Sequence, residues 1–132
     1  MKILVIDADW RFVAQVTPYL EAHAHLVVDQ NKPAEAAQQI QQWQPDLVML
    51  SADLADESLI KAIYSQKNRP AVLLTENMDR YDRAWRTWQH CGDELLMKPV
   101  FKAEELHQAI VTALENAAAN VKQPKRRLAK SA

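Results

Sequence analysis

Five alternations of a short apolar run with a segment of helical periodicity predict an α/β domain of three layers, helices packed on both faces of a parallel sheet. Parallel neighbours need crossover connections, and helices supply them. The apolar runs are nearly continuous instead of alternating, as expected of strands covered on both faces. A length of 132 residues, 48% of them hydrophobic, suits one domain and not two.

The first run, Lys2-Ile3-Leu4-Val5-Ile6, ends at Asp7-Ala8-Asp9. Trp10, Val13, Val16 and Leu20 then recur at helical spacing, with Pro18 expected to kink the segment or disturb its first half. A second strand fits His25 to Asp29. Pro33 opens a helix whose inner face is Ala36, Ile40 and Trp43, and Pro45 stops it. Leu47-Val48-Met49-Leu50 is a third strand, and Asp56 or Ser58 can start a helix buried through Leu59, Ile60 and Ile63. After Asn68-Arg69-Pro70 comes a fourth strand, Ala71 to Thr75, then a helix over Met78 to His90. Glu94 to Met97 is the fifth strand. Glu104 to Ala119 is the last helix, with acids in its first turn and Leu106, Ile110 and Leu114 in one stripe.

Composition excludes several chemistries. Average usage would give about nine glycines, and the chain has one, so neither the P-loop nor the dinucleotide fingerprint can be written. Cys91 is alone, which rules out an internal disulfide or a cysteine-based zinc site and points to a reducing, cytoplasmic setting. No apolar run approaches the ~18 residues of a membrane span, and nothing resembles a signal peptide. A soluble protein without membrane contact is expected. The net charge of -1 hides an asymmetry. Residues 121–132 carry five cations and no acid, leaving residues 1–120 at -6. We read 1–120 as the domain and 121–132 as a flexible basic tail or linker, the only segment suited to nucleic acid.

In open parallel sheets, ligand chemistry belongs at the carboxyl ends of the strands. The residues there are Asp7, Ala8 and Asp9, then Ser51, Thr75, and Lys98-Pro99. Together with Pro45-Asp46-Leu47-Val48-Met49-Leu50-Ser51, these blocks resemble the receiver domain of bacterial two-component response regulators, over residues 1 to about 118. The resemblance implies a flavodoxin-like (βα)5 sandwich with strand order 2-1-3-4-5. It also implies a pocket in which an aspartate takes a phosphoryl group from a histidine kinase. An acidic pair and the acceptor would hold Mg²⁺, a hard cation that wants oxygen ligands, while a threonine and a lysine bind the phosphoryl oxygens. The Lys98-Pro99 peptide would be cis.

The chain departs from that pattern where the chemistry is decided. Ala8 stands at the metal-ligating acid, Ser51 at the phospho-acceptor, and Leu95 at the aromatic switch position. The loop Ala52-Asp53-Leu54-Ala55-Asp56 lacks the usual Met-Pro and the later glycine. With two acids gone, Asp7 and Lys98 can neutralise each other, and Mg²⁺ binding is expected to be weak or absent. Asp53 lies two residues late. The family uses that position's backbone carbonyl, so its side chain is expected to point elsewhere. Ser51 would need an adjacent base to act as a nucleophile, and no glycine-flanked elbow surrounds it, so it reads as a small polar filler. His90-Cys91-Gly92-Asp93 lacks paired ligand spacing and reads as a helix terminus.

The expectation is therefore a degenerate phospho-acceptor pocket in a non-enzymatic signalling module that binds another signalling protein or output domain. Two alternatives are the sensor half of a DNA-binding transcription regulator, and a receiver still phosphorylated at a non-standard residue, Asp53 or Ser51. In receivers the fourth helix, fifth strand and fifth helix form a face that signals outward and often dimerises, and Tyr81, Trp85 and Trp88 fall on it. Exposed there, they would be binding anchors. Their spacing favours the buried face of an amphipathic helix, with Trp88 the one best placed to reach solvent.

Overall fold

Covered on both sides, the apolar runs of the centre of the sheet lose all contact with water: Ile3 to Ile6, Leu47 to Leu50 and Val72 to Leu74 are buried throughout. The computed structural model describes residues 1–119, and the basic segment 121–132 lies outside the described residues. The strands are β1 (Lys2–Ile6), β2 (Leu26–Gln30), β3 (Leu47–Ser51), β4 (Ala71–Asn77) and β5 (Glu94–Lys98). All pair in parallel, in the order β2-β1-β3-β4-β5. The helices are α1 (Trp10–Ala22), α2 (Pro33–Trp43), α3 (Glu57–Tyr64), α4 (Tyr81–Trp88) and α5 (Ala103–Ala119), with 3-10 turns at Ala52–Leu54 and Met78–Arg80.

Alternation along the strands divides the interior in two. Ile3, Val5, Met49 and Leu73 meet Phe12, Val16 and Leu20 of α1 and Leu106 and Ile110 of α5. Leu4, Ile6, Val48, Leu50, Val72 and Leu74 meet Ile40, Leu59 and Ile63 on the other face. Each such side chain contributes roughly 1.5–3 kcal/mol by leaving water. The edge strand β2 is only partly covered, and Leu26 is 66% exposed.

Several expectations are corrected. The second strand starts at Leu26, not His25. α1 is one continuous helix through Pro18, which is bracketed by buried Val16 and Leu20. Trp10 is off the inner face: it lies six residues before Val16, about 120° round the helix, and Phe12, about 40° away, is buried in its place. The fourth helix is shorter than the predicted span from Met78 to His90. α3 starts from Asp56, whose carboxylate accepts a hydrogen bond from the Leu59 amide at 2.8 Å.

At the amino-terminal end of β4 and β5, Asp93 is buried and takes two hydrogen bonds from Arg69, both at 2.9 Å. It also accepts from the Val72 amide at 2.8 Å. The Asp93 amide donates to the Val72 carbonyl, and the Asp93 carbonyl accepts from Asn116. Arg69 lies 4.9 Å from the centre of the Tyr64 ring, whose hydroxyl accepts from the Gly92 amide. Gly92 has φ of +108°, and a Cβ there would come within 3.1 Å of the Trp88 ring.

Candidate functional site: a closed pocket at the carboxyl ends of the strands

Strand pleat and register bring the expected pocket together. Ser51 pairs with Thr75 across β3 and β4, and Asn77 with Lys98 across β4 and β5. Asp7 extends β1 by one residue, its amide donating to the Gln30 carbonyl. Asp7, Ser51, Thr75 and Lys98 are all buried.

The Lys98 ammonium lies 2.8 Å from Asp7 Oδ2, although β3 and β4 stand between their strands. It also sits 4.6 Å from the centre of the Phe12 ring, a cation–π contact strengthened by exclusion of water. The other oxygen of Asp7 accepts from the Asp9 amide at 2.9 Å. Burial pushes the Asp7 carboxyl above its ordinary range, against the lowering effects of the Lys98 and Asp9 hydrogen bonds and the Lys98 charge; nearby Asp53 adds to the rise. The Lys98-Pro99 peptide is cis, and Pro99 itself is exposed.

The neighbours of this pair are occupied elsewhere. Ala8 is exposed and carries no ligand atom. Asp9 caps α1, accepting from the Arg11 and Phe12 amides. The Ser51 hydroxyl donates to Asp53 Oδ1, so the Asp53 side chain turns back toward the pocket. This corrects the expectation that it points away, and the reason is local: the 3-10 turn after β3 lays residue 53 over the Ser51 hydroxyl. Thr75 Oγ1 is buried with no hydrogen-bond partner among the described residues. Leu95 is half-buried against the same core as Trp88.

Two functional-site residues were missed. Glu76, 1% exposed, follows Thr75 on β4 and takes hydrogen bonds from Arg83 Nε at 2.6 Å and Arg83 Nη2 at 3.1 Å. Hydrogen bonding to Glu76 raises Arg83 above its ordinary value despite its desolvation, with Glu76, Asp53 and Asp82 charges adding to the rise. An acid ending an apolar strand, seven residues before an arginine, was the available signal.

This ion pair also sets the roll of α4. Ala84 is buried and marks the inward direction. Trp88 lies about 40° from it, Tyr81 about 60°, and Trp85 about 100°. Trp88, nearest that direction, is half-buried, whereas Tyr81 and Trp85 are 60% and 52% exposed. The buried-stripe expectation is thus overturned, and Trp88 is the least exposed of the three.

The donor set does not fit Mg²⁺. One Asp7 oxygen faces a lysine, Asp9 is spent on a helix cap, and Ser51 offers a neutral oxygen already bonded to Asp53. Among the described residues no three acidic, histidine or cysteine side chains converge as a metal site.

No protein-family model matches the chain, and no curated protein sequence matches it. Solved structures do. NtrX from Brucella abortus aligns at 23% identity with a TM-score of 0.77, over 92% of this chain and 28% of that one. A response regulator receiver domain from Clostridium thermocellum aligns at 23% identity and a TM-score of 0.72, over 89% and 97%. The receiver domain of a modulated diguanylate cyclase from Desulfovibrio desulfuricans aligns at 19% identity and 0.69, over 90% and 97%. The chain has the receiver-domain fold. No helix among the described residues is long and apolar enough to cross a membrane.

Proposed function

We propose that this chain is a receiver-like signalling module that works without phosphoryl transfer, by binding another signalling protein or an output domain. The observation that carries the reading is the closed Asp7–Lys98 pair, 2.8 Å apart and buried, beside a serine where an acceptor carboxylate would stand. A lysine committed to Asp7 is not free to bind an incoming phosphoryl group, and the pair needs no divalent cation to balance it. Ser51 donates to Asp53, but this arrangement completes the turn after β3 and leaves a buried hydroxyl. Phosphorylation at Ser51 or Asp53 and Mg²⁺ dependence are accordingly not part of the proposed mechanism. The surface for partners is α4, which presents Tyr81 and Trp85 to solvent.

The test is to titrate Mg²⁺ with beryllofluoride or acetyl phosphate while following tryptophan emission, including Trp10 at the pocket rim, and intact mass. The expected result is no saturable response and no phosphoryl adduct. A stoichiometric adduct overturns the reading.

A second reading makes the domain the sensor half of a DNA-binding transcription regulator. The five cations of 121–132 support it, as does the match to a domain that fills only 28% of a longer chain. Its variant, in which the basic tail itself grips nucleic acid, requires binding that falls steeply with salt and disappears on deleting 121–132. Sequencing the native reading frame beyond codon 132 decides whether an output domain follows.

A further inference from the structure

We infer that Asp7 and Lys98 condense into an amide, a covalent cross-link between the ends of β1 and β5 that the folded chain makes unaided; the inference rests on the proposal that Lys98 is committed to Asp7. The chain folds with the two groups as an ion pair and closes afterwards, slowly. In the folded chain Lys98 Nζ lies 2.8 Å from Asp7 Oδ2, and both side chains are almost wholly withdrawn from water. The carboxyl carbon is one bond beyond that oxygen, so a small turn of the lysine stem brings the amine onto it. Holding the two groups together in this way replaces a chance encounter with an intramolecular step.

Water opposes such a step twice over, and the pocket weakens both objections. In solution the lysine is protonated and the aspartate ionised, so neither group is in its reactive form. In a buried pair, one proton passed from Nζ to Oδ2 turns two charges into a neutral amine and a neutral acid, the forms that burial favours. Excess water also drives amides back to acid and amine, and here the Phe12 ring covers the lysine nitrogen at 4.6 Å. The Asp9 amide, 2.9 Å from Asp7 Oδ1, steadies the oxygen on which negative charge gathers as the carbon becomes tetrahedral.

The step balances within the pair. One Nζ proton goes to Oδ2, the nitrogen lone pair forms the bond to Cγ, and a second Nζ proton goes to Oδ2. The Cγ–Oδ2 bond then breaks and a water molecule leaves. The third proton stays as the amide N–H. Lys98 spans β4 and β3 to reach Asp7, and on β4 the buried Thr75 hydroxyl, without a hydrogen-bond partner among the described residues, is a free acceptor for that N–H. Closure also abolishes two buried charges and their desolvation cost. A lysine held in an amide is removed from phosphoryl binding for good.

The experiment follows the intact mass of the full 132-residue chain through days of incubation in neutral buffer, beside a sample kept unfolded in urea. A growing fraction lighter by one water is expected in the folded sample and none in urea. After trypsin, the lighter fraction should yield one species in which the peptide Ile3 to Arg11 is joined to the peptide Thr87 to Lys102. Lys98→Arg keeps the charge but holds its protons too tightly to react. It should retain its full mass, with circular dichroism reporting its fold. A folded parent whose mass never changes overturns the inference. So does a water loss without the joined peptide, or one that also occurs in urea or in Lys98→Arg. An unchanged mass leaves the phosphorylation-independent reading standing, whereas a phosphoryl adduct on the unclosed fraction overturns that reading and leaves the amide standing.

Discussion

Replacing Lys98 with methionine keeps the length and apolar stem of the side chain and removes its charge, leaving Asp7 as a buried carboxylate with the Asp9 amide as its remaining donor. The two side chains are 5% and 3% exposed at 2.8 Å, so solvent screening is slight. Breaking a pair of this kind typically costs about 3–5 kcal/mol. For a chain of this size that corresponds to a fall in melting temperature of roughly 10–18 °C. Removing both charges in Asp7→Asn/Lys98→Met should return stability to within about 1 kcal/mol of the parent, because the pair's attraction largely offsets its own desolvation.

The pH dependence has a definite sign. The Asp7 carboxyl is raised in the folded state above its ordinary 3.8, so its contribution is fully favourable below that value and is lost as pH rises through the folded value. Losing Lys98 raises it further, and the deficit of Lys98→Met should therefore shrink as pH falls from 7 toward 4. Urea unfolding followed by tryptophan emission at several pH values measures both effects. A loss under about 1 kcal/mol, or one flat in pH, refutes the account of Asp7 as a desolvated partner.

Three further outcomes follow from the same geometry. Asp93→Asn gives up the two-pronged Arg69 contact while Arg69 stays partly solvated, and should cost about 2–4 kcal/mol in urea unfolding. Gly92→Ala places a Cβ 3.1 Å from the Trp88 ring at a φ of +108°, and should cost about 2 kcal/mol with a shift in tryptophan emission. Burial pushes the Tyr64 hydroxyl far up, so stability should decline as pH rises above about 10, and Tyr64→Phe should remove a strongly alkaline step from the 295 nm absorbance.

The strands were legible because burial on both faces writes itself into a run such as Leu47 to Leu50 without help from distant residues. The pocket was legible because strand ends are fixed once the strands are. What sequence could not show is set by contacts between elements. The spacing of Tyr81, Trp85 and Trp88 defines a ridge but not which way it faces; Ala84 and the Arg83–Glu76 bond decide that. Asp53 was misplaced because three residues of 3-10 turn reverse its direction, and apolar periodicity carries no trace of such a turn. Arg69 and Asp93 are 24 residues apart with a strand and a helix between them, a separation at which no local pattern couples them.

Asp93 has one more consequence. Its carboxylate, amide and carbonyl all find partners, drawn from the segment before β4, from β4 itself and from α5. This hub sits at the end of the sheet away from the pocket, so the sheet's alignment there owes nothing to Asp7, Ser51 or Lys98. Exposed residues at the rim, unlike the buried Asp7–Lys98 pair, can then be exchanged one by one without the strands losing their places. A chain anchored in this way can change what its rim recognises and remain the same folded object.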